Sequence, residues 1–235
     1  MNIGATTVGG MINNVKTFAS VLMPGVQHMR HTHLPEHKFV KGQPDTGVEM
    51  AEDLERIAMN FGGENIAACI VEPIAGSTGT LVPPKGYLKR IREICDKHGI
   101  LLIFDEVITG WGRTGSAFAS QEFGVTPDMI TMAKATTNGV IPMGVVAVKE
   151  EMYDAVLDSS KNPEGTPELF HGYTYSGIPA AVAAGLAVQD IFDKEDIFKR
   201  AKDMSPYLQD GLHSLKDLKE IVSIRGYGMM GGIEM

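Results

Sequence analysis

Cysteine is scarce in this chain, with two in 235 residues, Cys69 and Cys95, and no C-x-x-C pair. That spacing argues against a thiolate metal site or a disulfide framework and fits a reducing compartment, taken here as the cytoplasm. No apolar run approaches the roughly 20 residues that span a bilayer. The start, Met1-Asn2-Ile3-Gly4, lacks the basic stretch followed by a hydrophobic one that marks export. Positive charge is also short: a formal net charge of -8 argues against a nucleic-acid or anionic-membrane surface, either of which would need a basic patch. Small molecules and other proteins are the expected partners. What is present, 43% hydrophobic residues, suffices for one large domain or a domain plus a fragment.

Residues 1 to about 47 are rich in Gly, Asn, Thr, His and Pro, without a sustained period, and read as loop with one short helix near Asn13 to Val21. From Val48, Leu54, Ile57, Ala58 and Phe61 fall at helical spacing, and Gly62-Gly63 supplies the stop. A strand, Ile66 to Val71, comes next. A second helix after Pro83-Pro84 carries Leu88, Ile91, Ile94 and Cys95 on one face, with Gly99 as its left-handed cap. Strand, helix and strand then repeat, and the strands are continuously apolar, which predicts a parallel-rich α/β sheet with helices over both faces. Val145 to Val148 reads as a further strand and Glu150 to Leu157 as a short helix. The run Ala180 to Phe192, opened by Pro179, is apolar almost all round and predicts a buried helix. A polar amphipathic helix from about Glu195 to Leu215 closes this unit. Glu220 to Met235 holds a short strand, a Gly-rich turn and a second apolar start. The expected division is a large domain over 1–218 and the beginning of a smaller one over 219–235.

Two apolar runs, Leu101-Leu102-Ile103-Phe104-Asp105-Glu106-Val107 and Met129-Ile130-Thr131-Met132-Ala133-Lys134, deliver charge out of segments with strong strand character. Charge at a buried strand end is costly unless it is paired, hydrogen-bonded or used by a ligand. The carboxyl ends of strands in open α/β sheets face the ligand crevice, so Asp105 and Lys134 are the first site candidates. A desolvated lysine is an amine nucleophile for Schiff-base chemistry, and an acid such as Asp105 suits the pyridinium nitrogen of a pyridoxal cofactor. From spacing alone, a structural ion pair or a lysine snorkelling to the surface is the favoured reading. His28, His31, His33 and His37 fit no helical face, and no Cys or paired acid follows at zinc-site distances, so they read as loop.

The wider text is more specific. Asp105-Glu106-Val107-Ile108-Thr109-Gly110-Trp111-Gly112-Arg113-Thr114-Gly115, then Pro127-Asp128, Lys134-Ala135 and Pro142-Met143-Gly144, resembles the signature of the class III pyridoxal-phosphate aminotransferases of fold type I. Val71-Glu72-Pro73-Ile74-Ala75-Gly76 and His171-Gly172-Tyr173-Thr174-Tyr175-Ser176-Gly177 look like two further blocks of that family, and the omega-amino acid:pyruvate aminotransferases are the most similar branch. The resemblance implies pyridoxal 5'-phosphate as cofactor, with Lys134 as the Schiff-base lysine and proton shuttle and Asp105 on the ring nitrogen. It implies Val107 against one face of the ring, on the reasoning that Val107 shares a strand face with Asp105. Thr174 would reach the cofactor phosphate of the neighbouring subunit, which implies a homodimer or a higher homo-oligomer.

Arg225, before Gly226-Tyr227-Gly228, would grip the substrate carboxylate with two prongs, and Glu72 would line the crevice. The implied reaction moves an amino group from an omega-amino acid or amine to pyruvate or another 2-oxo acid. A same-fold mutase or decarboxylase and an inactive fragment that only pairs with intact subunits are the alternatives. Family members are longer at both ends, and their phosphate-binding turn and ring-stacking aromatic are not in this text, so weak cofactor binding is expected. Ile178 replaces a histidine common in the family, and Thr136 stands where leucine is usual.

Overall fold

Helix formation follows the expected signals at the first long element. The computed structural model describes residues 3–159 and 171–235. Two short helices, α1 (Ile3–Val8) and α2 (Ile12–Thr17), open the chain, and a 3₁₀ turn spans Ala19–Val21. The opening therefore holds one helix more than the expected single one, because Gly9-Gly10 splits the segment into two. Helix α3 (Glu52–Phe61) carries Glu52, Asp53 and Glu55 in its first turn, where carboxylates complement the helix dipole. It buries Leu54, Ile57 and Ala58 and stops at Gly62, whose φ of +78° is open to glycine without strain. Phe61, expected on the same face, is exposed; it sits in the last turn, beyond the contact.

Strand β1 (Ala68–Val71), helix α4 (Tyr87–His98) and strand β2 (Leu101–Asp105) follow, with Gly99 in the left-handed conformation as the cap of α4. A one-turn helix α5 (Ala119–Glu122) precedes β3 (Met129–Met132), and β4 (Val145–Val148) leads into α6 (Glu150–Ser159). The sheet order is β1-β2-β3-β4, with β1/β2 and β2/β3 parallel and β3/β4 antiparallel. Asp105 stands opposite Thr131, and Val71 opposite Phe104.

Leu102 and Phe104 on β2 point into a core shared with Leu54, Ile91, Ile94 and the free thiols Cys69 and Cys95. Burial of each large aliphatic or aromatic side chain here contributes about 1.5–3 kcal/mol. The alternate residues Leu101, Ile103 and Asp105 are only half buried. On that same face Ile70, Val146 and Val148 are exposed. Helices over both faces were expected from the continuously apolar strands; among the described residues the Ile70–Val148 face stays partly open.

Helix α7 (Pro179–Lys194) begins with its proline in the first turn, and α8 (Ile197–His213) follows. The expectation that α7 is buried all round is corrected: Ala181, Gly185 and Val188 form one buried stripe, while Val182, Leu186 and Ile191 lie on the surface. The stripe meets neighbours, with Phe192 beyond it against Trp111 and Phe198, and at Gly185 an added Cβ would lie 3.4 Å from the Thr136 carbonyl oxygen.

A hairpin of β5 (Ser223–Tyr227) and β6 (Met230–Glu234) ends the chain. It is held from two sides. The Ile224 N–H donates to the Lys38 carbonyl at 2.7 Å and the Gly42 N–H to the Gly226 carbonyl at 3.2 Å, while Gln209 of α8 donates to the carbonyls of Gly228 and Met230. No helix among the described residues is long and apolar enough to cross a membrane.

Candidate functional site

Parallel pairing puts the carboxyl ends of β1, β2 and β3 on one edge of the sheet. Glu72 directly follows β1, Asp105 is the last residue of β2, and Lys134 lies two residues beyond β3. Adjacent strands are about 4.8 Å apart, so the sheet itself gathers the three. Electrostatics agrees with the topology. Burial pushes the Glu72 carboxyl up; its hydrogen bond from the Gly76 N–H opposes this, the Asp105 charge adds to it, and the Lys134 charge opposes it. Glu72 accepts that N–H at 2.9 Å.

Asp105 is half buried, and one carboxylate oxygen accepts the Val107 N–H at 3.0 Å. That contact, two residues along the chain, is a local turn rather than continued strand. The expected placement of Val107 on the same strand face as Asp105 is thereby corrected: β2 ends at Asp105, and Val107 begins the turn. Val107 nonetheless stays beside the carboxylate, through its backbone.

Lys134 opens a 3₁₀ turn, Lys134–Thr136, and its φ is +48°. A left-handed non-glycine residue costs roughly 1–2 kcal/mol and persists only where its surroundings hold it. Its side chain is exposed. Just behind it, the Thr131 hydroxyl is a buried side-chain group with no hydrogen-bond partner in the protein, and its residue stands opposite Asp105 in the register. Parallel partners project to the same face, so an orphan hydroxyl and a half-buried carboxylate with one uncommitted oxygen share the open side of the sheet. The Thr131 hydroxyl is covered, and the uncommitted Asp105 oxygen is the group that suits the edge of a planar, protonated heterocycle.

Arg225 is committed elsewhere. Its Nε donates to the Gly79 carbonyl at 2.8 Å, and Nη1 donates to Ser223 Oγ at 2.6 Å and to Glu234 at 2.9 Å. The residue is buried. A free two-pronged grip was expected; the guanidinium instead ties the hairpin to the loop after β1. Thr174 is exposed in the turn 174–177 just before α7 and is not among the residues gathered at the strand ends. The histidines serve the opening segment: His28 pairs with the Thr7 carbonyl, His31 accepts the His33 N–H, and His37 accepts the Leu34 N–H while facing Thr46.

Three contributors went unnoticed in the sequence. Fully buried Glu106 accepts the N–H groups of Ala119 and Ser120 and the Thr109 hydroxyl, closing the base of the loop after Asp105. Its signal was an acid inside an otherwise apolar and glycine-rich run. Arg113 steadies the same loop through the carbonyls of Ile108 and Gly110. Thr131 gave no signal, since a threonine within a strand is ordinary.

Comparison with known proteins bears on this arrangement. The family model for class-III aminotransferases matches residues 3–235. An omega-aminotransferase of Caulobacter vibrioides is 52% identical over 236 residues, and an omega-amino acid–pyruvate aminotransferase of Pseudomonas putida is 45% identical over the same span. The match takes in 100% of this chain but 53% and 52% of those proteins, so the chain spans about half the length of the curated relatives it matches. Among solved structures, an omega-transaminase from Pseudomonas jessenii in complex with PMP superposes with a TM-score of 0.90 at 31% identity, covering 100% of this chain and 51% of that one. A thermostable (S)-enantioselective omega-transaminase from Thermomicrobium roseum gives 0.85 at 35% identity, with 100% and 51% covered.

Proposed function

Because the chain belongs to the class III aminotransferase family, matched over residues 3–235, we propose that it carries the lysine-bearing part of a pyridoxal 5'-phosphate-dependent transaminase. The observation that supports this most directly is the convergence of Glu72, Asp105 and Lys134 at the carboxyl ends of three adjacent strands. When bound, the cofactor supplies an electron sink for the carbon that bears the transferred nitrogen. Lys134 Nζ would hold the cofactor through its aldehyde carbon and, once the incoming amine had displaced it, would be the base that carries a proton beside the transferred nitrogen. Asp105 holds a proton at the ring nitrogen with the oxygen not used by Val107. Val107 lies against one ring face, and Glu72 lines the crevice beside Lys134. Thr174, exposed before α7, serves the phosphate of a neighbouring subunit, which makes the working unit a homodimer or larger.

The amino donor in this reading is an omega-amino acid or amine, and the acceptor is pyruvate or another 2-oxo acid. Its support is the naming of relatives at 45–52% identity. Arg225, whose Nε and Nη1 tie the hairpin to the Gly79 loop, is the residue this reading gives to the substrate carboxylate. The buried free thiols suit a reducing cytoplasm.

Mixing the protein with pyridoxal 5'-phosphate, reducing with borohydride and mapping the adduct by mass spectrometry tests the reading. The expected result is a pyridoxyl group on Lys134, absent from Lys134→Ala. Equal labelling of several surface lysines, with none favoured, would overturn it.

A further inference from the structure

Lys134 sits in a strained backbone conformation, and the immediate hydrogen bonds to its own carbonyl, from Thr137 at 3.4 Å and Gly139 at 3.3 Å, are long. The shorter contacts bracket it, from Thr136 two residues after to Ala133 one residue before. Thr136 is buried. Its N–H and its hydroxyl both donate to the Ala133 carbonyl, each at 3.0 Å, and the hydroxyl also accepts the Trp111 indole N–H at 3.0 Å. Ala133 is the residue whose carbonyl immediately precedes Lys134.

Trp111 is a firm anchor for such a relay. It too has a positive φ, +63°, and its own N–H donates to the Ala117 carbonyl at 2.6 Å. Its ring packs on Phe118 at 5.1 Å and on Phe192 of α7 at 5.9 Å. The chain from indole to hydroxyl to carbonyl thus links an aromatic cluster on α7 and the loop after β2 to the peptide that enters Lys134. A leucine at 136 would fill the volume but could neither accept from the indole nor donate to Ala133.

We infer that Thr136 is a positioning residue for Lys134: its hydroxyl, held by Trp111, fixes the Ala133–Lys134 peptide and so aims the lysine amine toward Asp105 and Glu72. This deepens the proposed reading and rests on it, since a defined direction for the amine matters only if the amine reacts. The hydroxyl itself touches no reacting atom.

The test needs no cofactor. Trace acetylation of the folded chain by acetic anhydride, read lysine by lysine in the mass spectrometer, reports how each amine is presented. Thr136→Val should change the Lys134 rate relative to Lys89 and Lys97 by about fivefold, the change in population that one buried hydrogen bond controls. Thr136→Ser, which restores the hydroxyl, should return it to the wild-type ratio. Trp111→Phe, which removes the donor while keeping an aromatic ring beside Phe118 and Phe192, should reproduce the Thr136→Val change, and the double variant should add nothing further.

If Thr136→Val does not fold, Trp111→Phe against Thr136→Ser carries the comparison alone. Trp111 is the one tryptophan of the chain, so in the Thr136 variants its emission reports whether the indole bond has been lost. A Lys134 rate unchanged in variants with lost indole bonding, or a uniform change at every lysine, overturns the inference. Failure of pyridoxal to attach at Lys134 would instead overturn the proposed function and leave this measurement standing.

Discussion

Glu106, fully buried, receives the Ala119 backbone N–H at 2.6 Å, so one carboxylate joins the residue after β2 to the first turn of α5. The Ser120 N–H and the Thr109 hydroxyl complete its shell at 2.9 and 3.1 Å. Removing it strands three donors under a loop that begins at Val107. Glu106→Ala is expected to cost at least about 1–3 kcal/mol, the range for one buried donor left without a partner, and Glu106→Gln less, because one acceptor oxygen remains. Urea unfolding monitored by circular dichroism measures both, and a Glu106→Ala protein as stable as wild type would contradict the assignment.

Asp128 makes stability depend on acid. Burial alone pushes its carboxyl up, but hydrogen bonds from Lys149, Arg92 and the Leu102 N–H outweigh that and hold it at about 2, against an ordinary 3.8. The partners lie at 2.7–2.8 Å. A folded-state value below the unfolded one means the contribution is whole above about 4 and is lost as pH falls from there toward 2. It is worth about 1–2 kcal/mol at neutral pH, allowing for solvent around the Lys149 arm. Asp128→Asn should flatten the stability profile in that window, as read from unfolding midpoints along an acid series.

Glu72 has the opposite sign. Burial, the first cause, raises its carboxyl above the ordinary 4.5, so its contribution is whole below that value and falls away as pH rises through the folded-state one. Glu72→Gln keeps an acceptor for the Gly76 N–H and removes the buried charge. The variant should unfold at higher urea than wild type at neutral pH, with the gap closing in mild acid. A constant gap across the series would contradict the burial argument.

Gly228 is confined by backbone on both counts that matter. Its φ is +59°, and an added Cβ would lie 2.4 Å from the Arg113 carbonyl oxygen and 2.8 Å from Thr114 Cα. Gly228→Ala is therefore expected to cost more than about 2 kcal/mol and to raise hydrogen exchange in β5 and β6 first. Gly124→Ala is the control: it shares a positive φ, and its added Cβ meets nothing within 4 Å.

Local rules made much of this legible in advance. Gly62 and Gly99 end helices where glycine alone is free of strain, and β2 ends at Asp105 because the apolar run ends there. The strand-end rule put Asp105 and Lys134 at the carboxyl edge of the sheet from charge placement alone, which is where β2 and β3 deliver them. What stayed hidden depends on partners distant in sequence. Arg225 is indistinguishable from a free arginine until Gly79, 146 positions away, supplies its acceptor, and the surface on α7 could not be read from apolar content, which says what should be covered but not by what. Val107 failed for a local reason: an aspartate carboxylate that captures the second N–H after it ends the alternation that a strand reading assumes.

The backbone bond between Ile224 and Lys38 joins two stretches far apart in sequence. Such a contact closes a long loop and repays its entropy only once both ends are present. During synthesis, the stretch from Lys38 to Gly42 emerges early and must wait, its pairing groups on water, until β5 leaves the ribosome. Closure of that seam is accordingly a late event in folding, and a nascent chain arrested before Ser223 will leave the stretch open to protease while the α3–α4 core is already protected.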